Sequence, residues 1–191
     1  MGDHPRRPLT EMRTAADRLV VELAPFCDRL EIAGSIRRQR REVSDIELVA
    51  IPKFGTARRL GELLPRTDVD LLDAHVRDLL LATDRWRPRL DKDGRPALGD
   101  RYKRLLVDGI PLDLFVVLPP ASFAVLFLIR TGSADFTRAM VTQRRKGGHL
   151  PDDCQVRDGA VWQRGEQVAL ADEAAWFRLC GMTFVPPEQR R

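Results

Sequence analysis

Three acidic residues lie in segments whose other residues predict β-strands, where carboxylates are uncommon. Asp45 and Glu47 alternate with apolar residues at the start of a run that continues to Ile51. Because alternate side chains of a strand point to the same face, these two carboxylates are predicted to lie side by side. Asp113 repeats the pattern as the only acid in the apolar segment 111–115. If the strands are neighbours, the acids converge and repel one another unless a cation binds between them.

Such a set of carboxylates would suit Mg²⁺, which prefers hard oxygen ligands, and Mn²⁺ could substitute for it. A pair of alternating acids on its own is more often the solvent-exposed face of a half-buried strand. The upstream residues favour the metal site, because Gly34 and Ser35 directly follow a predicted strand over 30–33. A glycine there allows close backbone approach, and exposed N–H groups can bind phosphate. Arg38 follows shortly and can bind phosphate through a bidentate fork.

The elements that must position these residues are strands, hairpins and amphipathic helices, which together predict an α+β fold. A second strand is expected over 45–51, and Asp108-Gly109 predicts a hairpin between strands 102–107 and 110–118. Asp158-Gly159 predicts another hairpin. Apolar residues at helical spacing predict helices over 10–25, 57–64, 69–86, 122–130, 134–146 and 172–179. Pro119-Pro120 marks a break, which divides the chain into 1–119 and 120–191.

The composition is that of a soluble globular protein, with 191 residues of which 43% are hydrophobic and 31% charged. The longest apolar run, 121–129, is too short to cross a bilayer, so no membrane partner is expected. The first residues contain no hydrophobic signal core, so a cytoplasmic location is expected, and we expect a monomer. The three cysteines are widely spaced and predict reduced thiols rather than a zinc site or disulfides.

The net charge of +4 is compatible with an anionic partner without requiring one. Two groups of basic residues are candidate nucleic-acid contacts: Arg101, Lys103 and Arg104, and Arg138, Arg144, Arg145 and Lys146. The second group also fits compensation of a helix dipole. For Arg37, Arg40 and Arg41, a solvated basic loop and nucleic-acid contact fit equally well.

Three segments of the chain carry a resemblance to a known family. The segment 34–52, GSIRRQRREVSDIELVAIP, resembles the nucleotidyltransferase signature of family X DNA polymerases, the polymerase β group. The segment 130–136, RTGSADF, resembles the Thr-Gly-Ser region of that family's thumb. The tail 177–190, FRLCGMTFVPPEQR, is similar to the family's C-terminal helix, short strand and Pro-Pro-Glu-x-Arg ending. The resemblance extends over about 30–190 and is weakest over 55–99.

The resemblance implies DNA polymerase-type transfer of a nucleotide from a dNTP to a primer 3′-hydroxyl by a two-metal mechanism. The implied fold is an α+β nucleotidyltransferase palm over 1–119, with a mixed β-sheet and flanking helices, followed by a small C-terminal α/β thumb over 120–191. Asp45 and Glu47 would bind both Mg²⁺ ions, and Asp113 would bind the catalytic ion and accept the primer proton. The implied nucleotide-binding residues are Gly34, Ser35 and Arg38 at the phosphates, and Gly132 and Ser133 beneath the sugar.

The chain departs from the family pattern at several positions. Glu47 replaces the usual second aspartate, and Thr137 replaces a common base-contacting asparagine. Ile129 and Arg130 replace an aromatic pair that helps exclude ribonucleotides. Because only about thirty residues precede the first palm strand, the chain resembles the minimal viral members, and we expect basic surfaces to hold the DNA (gapped or primer-template).

Two other functions fit the same residues. The first is a template-independent nucleotidyltransferase that acts on an RNA or DNA end or on a small molecule. The second is a nucleic-acid-binding module whose catalytic site has degenerated. The complete set of three acids argues against the second.

Overall fold

The protein has a mixed α+β fold, as the sequence predicts. The structure, a computed structural model, describes residues 5–57 and 66–191. The described residues form six α-helices: α1 (Leu9–Leu23), α2 (Gly34–Arg37), α3 (Leu71–Ala82), α4 (Phe123–Thr131), α5 (Ala134–Val141) and α6 (Glu173–Leu179). They also form twelve strands: β1 (Arg7–Pro8), β2 (Cys27–Ile32), β3 (Glu42–Val43), β4 (Ile46–Pro52), β5 (Phe54–Ala57), β6 (Arg66–Asp70), β7 (Trp86–Pro88), β8 (Tyr102–Val107), β9 (Ile110–Val116), β10 (Cys154–Arg157), β11 (Ala160–Gln163) and β12 (Glu166–Gln167).

The central feature is a five-stranded sheet in the order β2-β4-β9-β8-β7. Strands β4 and β9 are parallel, whereas the other neighbours are antiparallel, so the sheet is mixed. The hairpin between β8 and β9 turns at Asp108 (φ 52°) and Gly109 (φ 75°), which confirms the two-residue turn expected there. Asp158-Gly159 joins β10 and β11 in the same way.

Side-chain alternation gives β4 and β9 one apolar face. On that face, Ile46 and Leu48 of β4 and Leu112 and Leu114 of β9 are fully buried. They pack against α1 and α3 in the largest hydrophobic cluster. Helix α1 contributes its apolar stripe to this cluster, which consists of Met12, Ala16, Leu19 and Leu23. The residues between the apolar ones therefore face the opposite side of the sheet.

Helix α4 covers only one end of that opposite face. Phe123 and Phe127 of α4 pack on Val49, Phe115 and Val117. The other side of α4 belongs to a second cluster, formed by Val125, Leu128, Met140, Leu150, Cys154, Val161, Trp176, Phe177 and Cys180. Thus α4 connects the five-stranded sheet to the C-terminal residues and leaves the other end of the face for polar groups.

Helix α5 is shorter than the predicted helix over 134–146. It ends at Val141, after which Thr142 and Gln143 are extended and Arg144–Lys146 form a separate 3₁₀ turn. Gln143 pairs with Leu150, which is fully buried. Burial of Leu150 therefore outweighs the helical preference of the sequence that precedes it.

The helix predicted over 69–86 is also shorter, and α3 begins after Asp70, whose side chain accepts a hydrogen bond from Asp73 N at 2.8 Å. The helix predicted over 57–64 lies outside the described residues, except that Ala57 ends β5. The three cysteines are buried and form no disulfide. No helix of the described part is long and apolar enough to cross a membrane.

Candidate active site

The three predicted acids lie at the polar end of the five-stranded sheet. Glu47 and Asp113 stand opposite each other in the parallel register of β4 and β9. Asp45 immediately precedes β4 and lines the same pocket as Glu47. The sheet register therefore brings together residues that are far apart in the sequence.

The surroundings of Glu47 oppose its ionisation. Burial, followed by the neighbouring Asp45 and Asp113 carboxylates, raises the pKa of Glu47 to about 7, against the opposing effect of Arg38 and Arg130. The carboxylates thus disfavour one another's charged forms, and a bound cation would relieve this effect.

Asp113 has a different set of neighbours. Its Oδ1 lies 3.5 Å from Arg104 Nε and 3.7 Å from Arg89 Nη2. The nearby Tyr102 hydroxyl also stabilises the charged form of this carboxylate. Burial raises the pKa of Asp113, and the arginines and the hydroxyl only partly offset that effect.

Arg89 and Tyr102 were not identified from the sequence. Arg104 pairs with Asp113 across β8 and β9, and Tyr102 lies two residues earlier on the same face. The alternation of β8 was the signal that could have revealed Tyr102. Arg89 comes from the segment after β7, and no sequence pattern places it near Asp113.

Gly34 allows helix α2 to approach β4 closely. It has φ +61°, and a Cβ at this position would stand only 1.8 Å from Glu47 Oε2. The preceding Ala33 N donates a hydrogen bond of 2.8 Å to Glu47 O. Any larger residue would therefore collide with the Glu47 carboxylate, and the glycine places Ser35 beside the acids.

Two pockets meet at Arg38 and Glu47. The larger, of about 800 Å³, is lined by Arg6, Ser35, Arg38, Arg40, Arg41, Glu42, Ser44, Asp45 and Glu47. The smaller, of about 300 Å³, is lined by Arg38, Glu47, Ile129, Arg130, Gly132, Ser133, Ala134 and Thr137. The two groups of predicted nucleotide-binding residues thus lie on either side of the same carboxylate. We call the two pockets the arginine cleft and the Gly-Ser pocket.

Gly132 and Ser133 also have local structural roles. A Cβ on Gly132 would lie 2.5 Å from Thr137 Oγ1 and 2.8 Å from Phe136 Cδ1, so no side chain fits there without displacing them. The Ser133 hydroxyl caps α5 by accepting a hydrogen bond from Phe136 N at 3.2 Å.

Arg38 joins α2 to this segment. Its Nη1 donates hydrogen bonds to Thr131 O at 2.6 Å and to Gly132 O at 3.1 Å. Its Nε, like Ser35 Oγ and Arg130 Nε, is buried without a hydrogen-bond partner. Because buried polar groups are normally paired, three such atoms around Glu47 indicate a site that a polar ligand would complete.

A second cluster of charges lies next to the site and was not predicted. Arg37 donates two hydrogen bonds to Glu173, of 2.9 and 2.6 Å, and one to Thr131 Oγ1 at 2.7 Å. The fully buried Arg190 donates to Glu173 Oε1 at 2.5 Å. Burial raises the pKa of Glu173, but the hydrogen bonds from Arg37 and Arg190 outweigh it and hold that pKa below its usual value. These contacts give structural roles to Arg37 and to Arg190, the arginine of the Pro-Pro-Glu-x-Arg tail.

The prediction that Lys103 contacts nucleic acid does not fit the structure. Lys103 is 1% exposed, its Nζ lies 2.8 Å from Asp73 Oδ1, and it donates to Gly99 O. The cause is the alternation of β8, which places Lys103 on the core face and its neighbour Arg104 on the opposite face. Adjacent strand residues cannot both line one surface. Arg101 is exposed and donates hydrogen bonds to the carbonyls of Leu118 and Pro119.

The second predicted basic group does not form one helix face. Arg138 is exposed on α5 beside Asp135, at 3.2 Å. Arg144, Arg145 and Lys146 lie in the separate 3₁₀ turn. Arg144 donates to Cys180 O at 2.6 Å, and Arg145 donates to Gln143 Oε1. Lys146 is exposed.

The carboxylate oxygens of the three acids are the type of ligand that binds a divalent cation, but their present arrangement does not fit one. Within residues 5–57 and 66–191, no group of three or more His, Cys, Asp or Glu side chains is arranged to hold a metal ion. The Asp113 carboxylate faces Arg89 and Arg104 instead. The mutual repulsion of the carboxylates around Glu47 and the all-oxygen donor set nevertheless suit Mg²⁺ or Mn²⁺. A cation bound by all three acids therefore requires the two arginines to move away from Asp113.

Comparison with known proteins adds no family assignment, because no protein-family model and no curated protein matches the chain.

Proposed function

We propose that the protein is a family X-like nucleotidyltransferase that transfers a nucleotide from a dNTP to the 3′-hydroxyl of a DNA primer. The observation that carries this proposal is the convergence of Glu47, Asp113 and the close-packed Gly34 at one end of the mixed sheet. In this proposal the five-stranded sheet and its helices are a nucleotidyltransferase palm over 1–119, and 120–191 is the thumb.

The arginine cleft has the composition expected of a triphosphate site. It combines Ser35 and Arg38 with the exposed Arg40 and Arg41, next to the acids. Arginine binds phosphate oxygens in a bidentate manner, and the unpaired Ser35 Oγ and Arg38 Nε are free to donate to them. The β and γ phosphates lie here in the proposed complex.

The remaining parts of the nucleotide and the acceptor follow from this placement. The nucleoside enters the Gly-Ser pocket, on the other side of Glu47. Asp45, Glu47 and Asp113 would hold Mg²⁺ or Mn²⁺, which would supply positive charge to stabilise the attacking and leaving oxygens. Asp113 would accept the proton of the acceptor hydroxyl at its carboxylate, which acts as a general base.

Template-independent transfer to the end of a strand is the second candidate. The burial of Lys103 and the use of Arg144 in a backbone hydrogen bond leave a smaller basic surface than the sequence predicts. A smaller surface favours a short single-stranded acceptor over an extended duplex, because each phosphate contact adds to duplex affinity.

The test is primer extension with Mg²⁺ or Mn²⁺, on a gapped duplex and on a bare strand, with single nucleotides. We expect templated extension, and we expect Asp113→Asn to reduce its rate by about 10³-fold while DNA affinity is retained. Asp93→Asn, in an exposed turn, is the matched control and should extend normally.

The other outcomes of this experiment would each contradict the proposed function. Equal extension of bare strands by any nucleotide would establish the template-independent candidate. DNA binding without extension by either metal would establish the binding module with a degenerate site. Full activity of Asp113→Asn would show that the proposed site is not the catalytic one.

A further inference from the structure

Arg130 lies between two pockets beside the three acids. It lines the Gly-Ser pocket, and it also lines a pocket of about 210 Å³ that contains Tyr102 and Phe115. Its guanidinium carbon lies 3.9 Å from the centre of the Phe115 ring. This contact holds the guanidinium over a ring on β9, two residues after Asp113.

Arg130 has hydrogen-bonding capacity that the described residues leave unused. Its Nε is buried without a partner, although a guanidinium has only donors and a buried donor is costly to leave unpaired. Its positive charge lowers the pKa of both Glu47 and Asp113, so it lies within electrostatic reach of both carboxylates. An acceptor group on a ligand between these acids and the Gly-Ser pocket would satisfy Arg130.

The rest of the Gly-Ser pocket gives such a ligand room. It is lined by small or aliphatic residues such as Ile129, Gly132 and Ala134, and no aromatic ring is among its described lining residues. In a nucleoside triphosphate the sugar follows the α-phosphate directly. With the phosphates in the arginine cleft, the sugar therefore reaches the pocket beside Arg130 first.

We propose that Arg130 is a specificity-determining residue that donates hydrogen bonds to sugar hydroxyl oxygens, so that the site accepts ribonucleoside triphosphates at least as well as deoxyribonucleoside triphosphates. The inference rests on the proposed function and names the sugar class of its substrate. A 2′-hydroxyl offers an acceptor that deoxyribose lacks, and a hydrogen bond to a charged donor changes affinity by about tenfold or more.

The test is equilibrium binding of ATP and dATP in the presence of Mg²⁺. The wild type should bind ATP at least as tightly as dATP. Arg130→Met keeps the length of the side chain and its packing on Phe115 but has no donors, so it should weaken ATP binding about tenfold and dATP binding less than about threefold. Arg178→Met, on α6 with a side chain that is 71% exposed, is the matched control and should change neither affinity.

A second variant distinguishes the loss of hydrogen-bond donors from a folding defect. Arg130→Lys retains a cation over Phe115 with fewer donors, and its ATP affinity should lie between those of the wild type and Arg130→Met. Equal weakening of ATP and dATP, or no change in either, would overturn the role in sugar recognition while leaving the transferase proposal intact. A wild type that binds neither triphosphate would instead overturn the proposed function.

Discussion

Two neighbouring glutamates, Glu47 and Glu173, lie in opposite electrostatic situations. Glu173 receives hydrogen bonds from Arg37 and Arg190, which hold its pKa below the usual value. Glu47 lies near two other acids, and burial together with these acids raises its pKa to about 7. Glu173 thus forms a charge-balanced contact that connects α2 to the C-terminal tail. Glu47 is an acid whose charged form is disfavoured, and it adjoins unpaired buried donors, which is the arrangement expected of a ligand site.

The largest expected effect is a loss of stability in Glu173→Gln. Removal of this carboxylate leaves Arg190 as a fully buried charge without its counterion, so the free energy of unfolding should fall by about 3–5 kcal/mol. Urea unfolding measures the change. Glu166→Gln, on the exposed strand β12, is the control and should change stability by less than about 0.5 kcal/mol.

The pH dependence of the same variant sharpens this prediction. Because the folded-state pKa of Glu173 is lowered, its contribution is present above the unfolded pKa and is lost as the pH falls through the folded value. The difference in free energy of unfolding between wild type and Glu173→Gln should therefore become smaller at acidic pH. A gap that is small at neutral pH would contradict the structural role of Glu173.

Glu47→Gln should change the free energy of unfolding in the opposite direction and by a smaller amount. The folded-state pKa of Glu47 is raised, so the wild type loses stability as the pH rises from the unfolded value to about 7. Without divalent cations, the variant should be more stable than wild type at pH 8, by on the order of 1–2 kcal/mol, and equally stable below about pH 4. Thermal or urea unfolding at both pH values measures this, and a destabilised variant at pH 8 would remove the contrast with Glu173.

The smallest expected effect concerns the length of the side chain at position 47. Glu47→Asp shortens the side chain and withdraws its carboxylate from Gly34. The shorter side chain also has fewer rotamers, so less conformational freedom is lost when it binds a cation with a strict octahedral geometry. We expect the rate of nucleotide transfer to rise severalfold, measured by single-turnover extension, with Glu166→Asp unchanged. A rate that falls would mean that the contact with Gly34 contributes to the proposed reaction.

Local patterns predicted much of the sheet. The alternation of β4 and β9 predicted their buried faces, and Asp108-Gly109 predicted the turn between β8 and β9. The same alternation, applied to β8, separates Lys103 from Arg104, so the error about Lys103 was avoidable from the sequence. The end of α5 was not predictable locally, because it depends on the burial of Leu150 eight residues after Thr142.

The sequence by itself determined which residue types stand at which strand positions, because strand alternation and turn chemistry act over a few residues. Tertiary structure alone decided which charges meet. The parallel pairing of β4 with β9 sets Glu47 opposite Asp113, and the packing of α4 brings Arg130 to both acids. The tail returns across the fold to place Arg190 on Glu173. Electrostatic partners are chosen by distance in space, and that distance is fixed only when the apolar faces of distant segments have packed.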